Sequence, residues 1–200
     1  NTPTSWSESE NIAWKTELPG KGWSSPVVLD GKIWLTTAIE KVPTEEELAK
    51  LLEDNVENPK HRKIRQIVSD LKLQALCVDL ESGELEKTID LFTVSGPDAI
   101  HTLNSYSSPT PVVEPGRLYC DFGTFGTACV DTESGKVVWT KDLELVHSVG
   151  PGSSPIVIGN TLVLVRDGVD VQYIIALDKG SGEIMWRTPR PPMNAETGDQ

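Results

Sequence analysis

Two histidines stand at matching places in this chain, each eight residues ahead of a proline: His101 before Pro109 and His147 before Pro155. The first opens His101-Thr-Leu-Asn-Ser-Tyr106 and the second opens His147-Ser-Val-Gly-Pro-Gly152. Imidazole, amide and phenol side chains gathered this way can hold a polar ligand or a metal ion, with His101, Asn104, Tyr106 and His147 as the contacts. The competing reading has both imidazoles bonded to backbone at a structural junction. Two histidines without a third ligand are a weak metal set, because zinc and similar ions take three or four protein donors. Asp167-Gly-Val-Asp170 is the nearest thing to a calcium loop, and it reads more simply as a turn between strands.

The cysteines are Cys77, Cys120 and Cys129. They form no Cys-x-x-Cys pair and no Cys/His cluster with zinc spacing. Counting outward from the Gly123-Thr-Phe-Gly126 turn places Cys120 opposite Cys129 on adjacent antiparallel strands, about 4.5–5.5 Å apart and at the edge of disulfide reach. Two unpaired buried thiols are the alternative. Cys77 and Cys129 each precede an Asp by two residues where a third copy of the pattern has Ala176, which points to a small packed residue.

These side chains are positioned by an internal repeat. Ser24-Ser-Pro26, Ser107-Ser-Pro109 and Ser153-Ser-Pro155 each open an apolar run, and each unit later carries Asp-x-x-Ser-Gly: Asp79 to Gly83, Asp131 to Gly135 and Asp178 to Gly182. The last two units continue to Trp139 and Trp186, the first has Lys87 in that slot, and Asn11-Ile-Ala-Trp14 is the same ending without its beginning. Pro109 and Pro155 are 46 residues apart but Pro26 and Pro109 are 83 apart, so the first unit holds an insertion. Each unit reads as four short strands: β-branched and aromatic runs bounded by Gly, Asn and Asp. That is the layout of a propeller blade, which must stack on its neighbours to bury its faces.

The insertion, at about residues 39–70, reads as a helical hairpin within the first blade. Thr44-Glu-Glu-Glu47 fits a capping box ahead of a Leu48, Leu51, Leu52 stripe. Pro59 suits the start of a second helix that would carry Ile64, Ile67, Val68 and Leu71 on one face. In a four-stranded meander this second-to-third connection lies on the same face as the blade-to-blade loops that hold the two histidines.

Composition narrows the function classes. Eighteen Lys and Arg against 30 Asp and Glu give a net charge of −12, which argues against a nucleic-acid binder. No apolar run reaches the roughly 20 residues of a membrane span. The start, Asn1 to Trp6, has no signal segment.

Ala176-Leu-Asp-Lys-Gly-Ser-Gly-Glu-Ile-Met-Trp186 and Cys129-Val-Asp-Thr-Glu-Ser-Gly-Lys-Val-Val-Trp139 resemble the repeat of PQQ-like (pyrroloquinoline-quinone-like) β-propellers. That family includes the quinoprotein alcohol dehydrogenases and the propeller lipoprotein of the outer-membrane barrel-assembly machinery. The resemblance covers about residues 11–191 apart from the insertion. It implies an all-β fold over residues 1–200: an incomplete ring of about three four-stranded antiparallel blades plus one strand, with a small helical insertion. It also implies that Trp14, Trp139 and Trp186 pack between blades. The dehydrogenases of the family hold PQQ with Ca²⁺, often beside a disulfide of adjacent cysteines. No two cysteines here are adjacent, so the expectation is of no cofactor and no catalytic residue. The chain is expected to be a non-catalytic binding or scaffolding module of an exported bacterial propeller protein, periplasmic or extracellular, acting through the loop-bearing face. The alternative is a fragment of a PQQ- or metal-dependent oxidoreductase. Expected partners are proteins, a further propeller segment, or a second copy joined through open blade edges.

Overall fold

The computed structural model describes residues 3–54 and 64–191. Three four-stranded antiparallel meanders follow one another along the chain. The first contains β1 (Val27–Leu29), β2 (Lys32–Lys41), β4 (Asp70–Asp79) and β5 (Leu85–Ser95). The second is β7 (Val112–Glu114), β8 (Arg117–Asp121), β9 (Thr127–Asp131) and β10 (Val137–Lys141). The third is β11 (Ile156–Ile158), β12 (Thr161–Asp167), β13 (Gln172–Asp178) and β14 (Ile184–Pro189). Between β2 and β4 come helix α1 (Glu45–Asp54) and β3 (Arg65–Gln66), and β3 pairs with β6 (Ile100–His101) in a separate two-stranded ribbon.

Local chemistry accounts for the turns and the helix start. Asp30 and Gly31 both take positive φ (49° and 72°), the backbone that a two-residue hairpin between β1 and β2 requires. At α1 the Glu47 amide donates to the Thr44 hydroxyl (3.2 Å) and the Thr44 amide to the Glu47 carboxylate (2.8 Å). Two donors that a helix start leaves without partners are thereby satisfied.

The second helix of the expected hairpin differs from what is observed. Residues 55–63 lie outside the described residues. Beyond them, Arg65–Gln66 is strand, and Leu71 belongs to β4 rather than to a helical stripe. The physical reason lies in the residues that follow. Leu71, Leu73, Ala75 and Cys77 alternate along β4 at 0–1% exposure, and ten consecutive pairs with β2 outweigh a four-residue helical spacing.

The core lies between blades rather than within them. One cluster joins Trp34, Leu73 and Ile89 of the first blade to Leu118, Cys120 and Phe122 on the second. The other joins Tyr119 and Cys129 to Leu162, Leu164 and Tyr173 of the third. The middle sheet is thus covered on both faces, as stacked blades require. No helix among the described residues is long and apolar enough to cross a membrane.

Candidate functional site

Each Asp-x-x-Ser-Gly segment closes the turn between a blade's third and fourth strands. One Asp oxygen accepts from both the amide and the hydroxyl of the Ser, at 2.8–3.1 Å in all three copies. Lys32 and then Ser82 hold Asp79 well below the usual carboxylate range, and the Ser134 and Ser181 amides do the same for Asp131 and Asp178. The closing glycines sit at φ of 75°, 70° and 74°, a backbone that only glycine takes without strain. The first and third of these turns receive a tryptophan from the preceding part of the chain. Trp14 lies on Gly83 and donates its indole N–H to the Leu80 carbonyl (3.1 Å). Trp139 lies on Gly182 and donates to the Lys179 carbonyl (3.0 Å). Leu80 and Lys179 each directly follow the turn's Asp, so the two junctions repeat one geometry. Trp186 ends the third blade at 43% exposure.

The opposite face carries the insertion and the blade-to-blade segments. A cavity of about 210 Å³ opens there between Leu51 and Leu52 of α1, Pro97 and Ala99 after β5, and Val146 and His147 after β10. The connections around it expose Val42 (77%), Ile64 (43%), Leu103 (77%), Val146 (44%), Val149 (51%) and Val169 (66%). Six aliphatic side chains standing in water on one loop-bearing face form the kind of patch that marks an interaction surface.

The sequence candidates converge on this face, though not as one ligand shell. Asn104 donates to the carbonyls of Val149 (3.0 Å) and Pro151 (3.1 Å), tying the loop after β6 to the loop after β10. The His101 amide donates to the Val149 carbonyl (3.2 Å), while its Nδ1 accepts from the Leu103 amide (3.0 Å). Tyr106 is fully buried, and its hydroxyl donates to the Asp98 carbonyl (3.1 Å). His147 packs on Phe125, with ring centroids 5.8 Å apart, and its Nε2 accepts from the Thr124 amide (3.3 Å). The two histidines are therefore not equivalent: His101 sits in the ribbon with β3, and His147 sits against the turn after β8. Among the described residues no group of three or more His, Cys, Asp and Glu side chains is placed to hold a metal ion.

His147 also borders a second cavity of about 210 Å³ that is lined by Asp121, Gly152, Ser153 and Arg166. Its Nε2 accepts, so the ring proton sits on Nδ1, which is buried without a partner among the described residues. Burial, with the nearby Arg166 charge, lowers its pKa to about 4. Beneath it lies an ion pair with both side chains 1% exposed. Arg166 donates to Asp121 in a fork, at 3.0 and 2.7 Å, and to the Thr127 hydroxyl at 3.0 Å. Thr127 in turn donates to Asp121 at 2.6 Å. This cluster escaped the sequence reading, although a signal for it was present. Leu162, Leu164 and Arg166 alternate along β12 as the buried side, so the arginine falls on an inward position and needs a partner.

The cysteine pairing requires correction. In the β8–β9 register Cys120 faces Ala128 and Cys129 faces Tyr119. The Gly123–Phe125 segment is a turn of 3-10 helix closed by the Phe122 amide on the Gly126 carbonyl, which moves the register by one residue from a symmetric count. A one-residue step sends side chains to opposite faces of a sheet. Cys120 therefore packs toward the first blade and Cys129 toward the third. All three thiols are free and buried.

Residues 4–188 match the family model described as outer membrane protein assembly factor BamB. No curated protein matches the chain. Among solved structures the chain is similar to the quinohemoprotein alcohol dehydrogenase from Comamonas testosteroni, at 18% identity and a TM-score of 0.46, over 67% of this chain and 22% of that one. It is also similar to BamB from Moraxella catarrhalis, at 12% identity and a TM-score of 0.44, over 88% of this chain and 51% of that one. It thus corresponds to about a fifth of the dehydrogenase and half of the Moraxella protein.

Proposed function

Because the chain belongs to the family described as outer membrane protein assembly factor BamB, with PQQ-like propeller blades, we propose that it is a binding and scaffolding module. It belongs to an exported bacterial protein and docks a protein partner on the face that carries α1 and the blade-to-blade loops. The observation that supports this is the set of exposed aliphatic side chains on that face, Val42, Leu103, Val146, Val149 and Val169 among them. Interfaces gain most of their energy from apolar groups that lose water at a central patch. The cross-linked loops hold this patch rigid, so little ordering cost accompanies docking. No bond is made or broken in this role, and His101, Asn104, Tyr106 and His147 act by shaping the loops beneath the patch.

Site-specific photo-crosslinking in cells tests the proposal with the full gene product. A crosslinker at position 103 or 169 is expected to capture a discrete protein partner, and one at Glu133 on the opposite face is not. Equal capture from both faces, or none from either, overturns the assignment. Titration with PQQ in the presence of Ca²⁺, followed by absorbance, examines the oxidoreductase alternative; stoichiometric binding decides in its favour.

A further inference from the structure

Arg166 Nε and His147 Nδ1 are both buried without a hydrogen-bond partner among the described residues. Both side chains line the cavity of about 210 Å³ between the second and third blades. Arg166 spends its two terminal nitrogens on Asp121, on the Thr127 hydroxyl and on the Val165 carbonyl. Its Nε–H is left over, and a guanidinium keeps that proton at any ordinary pH. His147 gives Nε2 to the Thr124 amide, so its Nδ1 is a donor as well. A buried donor without an acceptor is costly, and folded proteins seldom leave one. Two of them in the wall of one cavity point to an acceptor that binds there.

Size and charge narrow the class of acceptor. The cavity exceeds the roughly 30 Å³ that one water occupies, and cavities of about 150 Å³ already accept a benzene ring. Leu145, Pro151 and Val165 supply apolar wall. The charges in the wall cancel, because Arg166 is paired with Asp121 and Asp167 with Arg190 (2.9 Å). An anion would enter without a counter-charge of its own, and a cation would meet Arg166 and two N–H donors. A neutral acceptor meets neither obstacle. A carbonyl oxygen has two lone pairs and can take both N–H groups at once.

We propose that this cavity is a binding site for a small neutral carboxamide on a compact apolar body, its carbonyl oxygen accepting from Arg166 Nε and His147 Nδ1. The body lies against Leu145, Pro151 and Val165, and Ser153, exposed on the same wall, offers its hydroxyl to the amide N–H. The site needs no protein partner, so it stands apart from the docking patch. Benzamide is a suitable probe. Benzamidinium has the same shape but replaces the carbonyl with donors, and benzoate keeps the acceptor but adds a charge.

In the full gene product labelled with ¹⁵N-histidine, the Nδ1 signal that disappears in His147→Gln identifies the imidazole in question. Benzamide at pH 7 is expected to move that signal in a saturable way, and benzamidinium is not. His147→Gln keeps an acceptor for the Thr124 amide but lacks the Nδ1–H, so benzamide should bind it about tenfold more weakly, the worth of one hydrogen bond. Should that variant not fold, calorimetric titration of the wild-type protein with the three isosteres needs no variant. Benzamide should bind at least about tenfold more tightly than benzoate, and benzamidinium should not bind. A His147 signal unmoved by millimolar benzamide, as when the two N–H groups hold ordered water alone, overturns the proposal. So does binding of benzamidinium or benzoate as tight as that of benzamide, or equal benzamide affinity in wild type and His147→Gln.

Discussion

Replacing Asp121 by Asn is expected to be the most damaging conservative substitution in the chain. Asp121 and Arg166 are each 1% exposed, and they come from different blades, on β8 and β12. The amide keeps the shape of the carboxylate but leaves the guanidinium as an uncompensated charge between two sheets. Removing one partner of such a pair costs about 3–5 kcal/mol. For a chain of this length each kcal/mol moves Tm by about 2–4 °C, so the shift should be about 6–20 °C downward. The pair as a whole is another matter. Replacing both partners together, Asp121→Leu with Arg166→Met, removes both desolvated charges, and the double variant should recover most of the loss. Urea unfolding of wild type, Asp121→Asn, Arg166→Met and the double variant closes the cycle. Single variants within about 1 kcal/mol of wild type, or a double variant as unstable as the sum of the singles, would refute the reasoning. Either result would mean that water reaches the pair and screens it.

Folding stability should fall between pH 6.5 and 4 on account of His147. Its folded pKa of about 4 lies below the ordinary histidine value, so the unfolded chain takes up a proton that the folded chain refuses. The stabilisation is complete above pH 6.5 and lost toward pH 4, on the order of 2 kcal/mol after allowance for partial exposure; a His147→Gln variant should lack this component of the slope in denaturant titrations. Gly83→Ala should cost clearly more than Gly31→Ala. Both glycines have positive φ, but the added methyl meets the Trp14 ring at Gly83 and open space at Gly31; the φ penalty alone is about 1–2 kcal/mol, and equal losses would show that Trp14 is not docked there. Thiol titration should count three free cysteines per chain after unfolding without reductant and almost none in the native protein. Burial pushes Cys120 up and Cys129 to about 11, which leaves little thiolate to react; a count of one after unfolding would restore the Cys120–Cys129 disulfide.

Much of the architecture was legible because it rests on short-range chemistry repeated in register. Ser-Ser-Pro, the hairpin glycines and Asp-x-x-Ser-Gly each specify a local conformation, and three copies at matching intervals establish the blade before any contact is known. The first strands after Ser-Ser-Pro and the second strands from Lys32, Arg117 and Thr161 fall where the pattern put them. The capping box at Thr44 was legible for the same reason. The second helix was not, because Ile64, Ile67, Val68 and Leu71 fit a helical spacing, and only the ladder with β2 determines that Leu71 extends as strand.

The site was legible as a face and hardly at all as a set of contacts. Loop connectivity in a meander places α1 beside the blade-to-blade segments, and the shared cavity at Leu51, Ala99 and His147 follows from that. Which nitrogen of His147 is buried depends on a contact 23 residues away, and what Asn104 holds together on contacts 45 and 47 residues away, and no local pattern encodes such distances. The cysteines show the same limit, since one residue in the turn after Phe122 decides whether Cys120 and Cys129 share a face.

Sequence alone determined that this chain is a row of PQQ-like blades, with a tryptophan or its Lys87 substitute at each junction, because turn chemistry and strand alternation act within a few residues. Tertiary structure alone decided what happens between blades: the Asp121–Arg166 pair, the depressed His147, and the Lys87 ammonium bound to the Thr132 and Glu133 carbonyls where tryptophan packs at the other junctions. Burial and electrostatics there depend on which side chain of the neighbouring sheet stands opposite, and that is a property of packing rather than of any one segment.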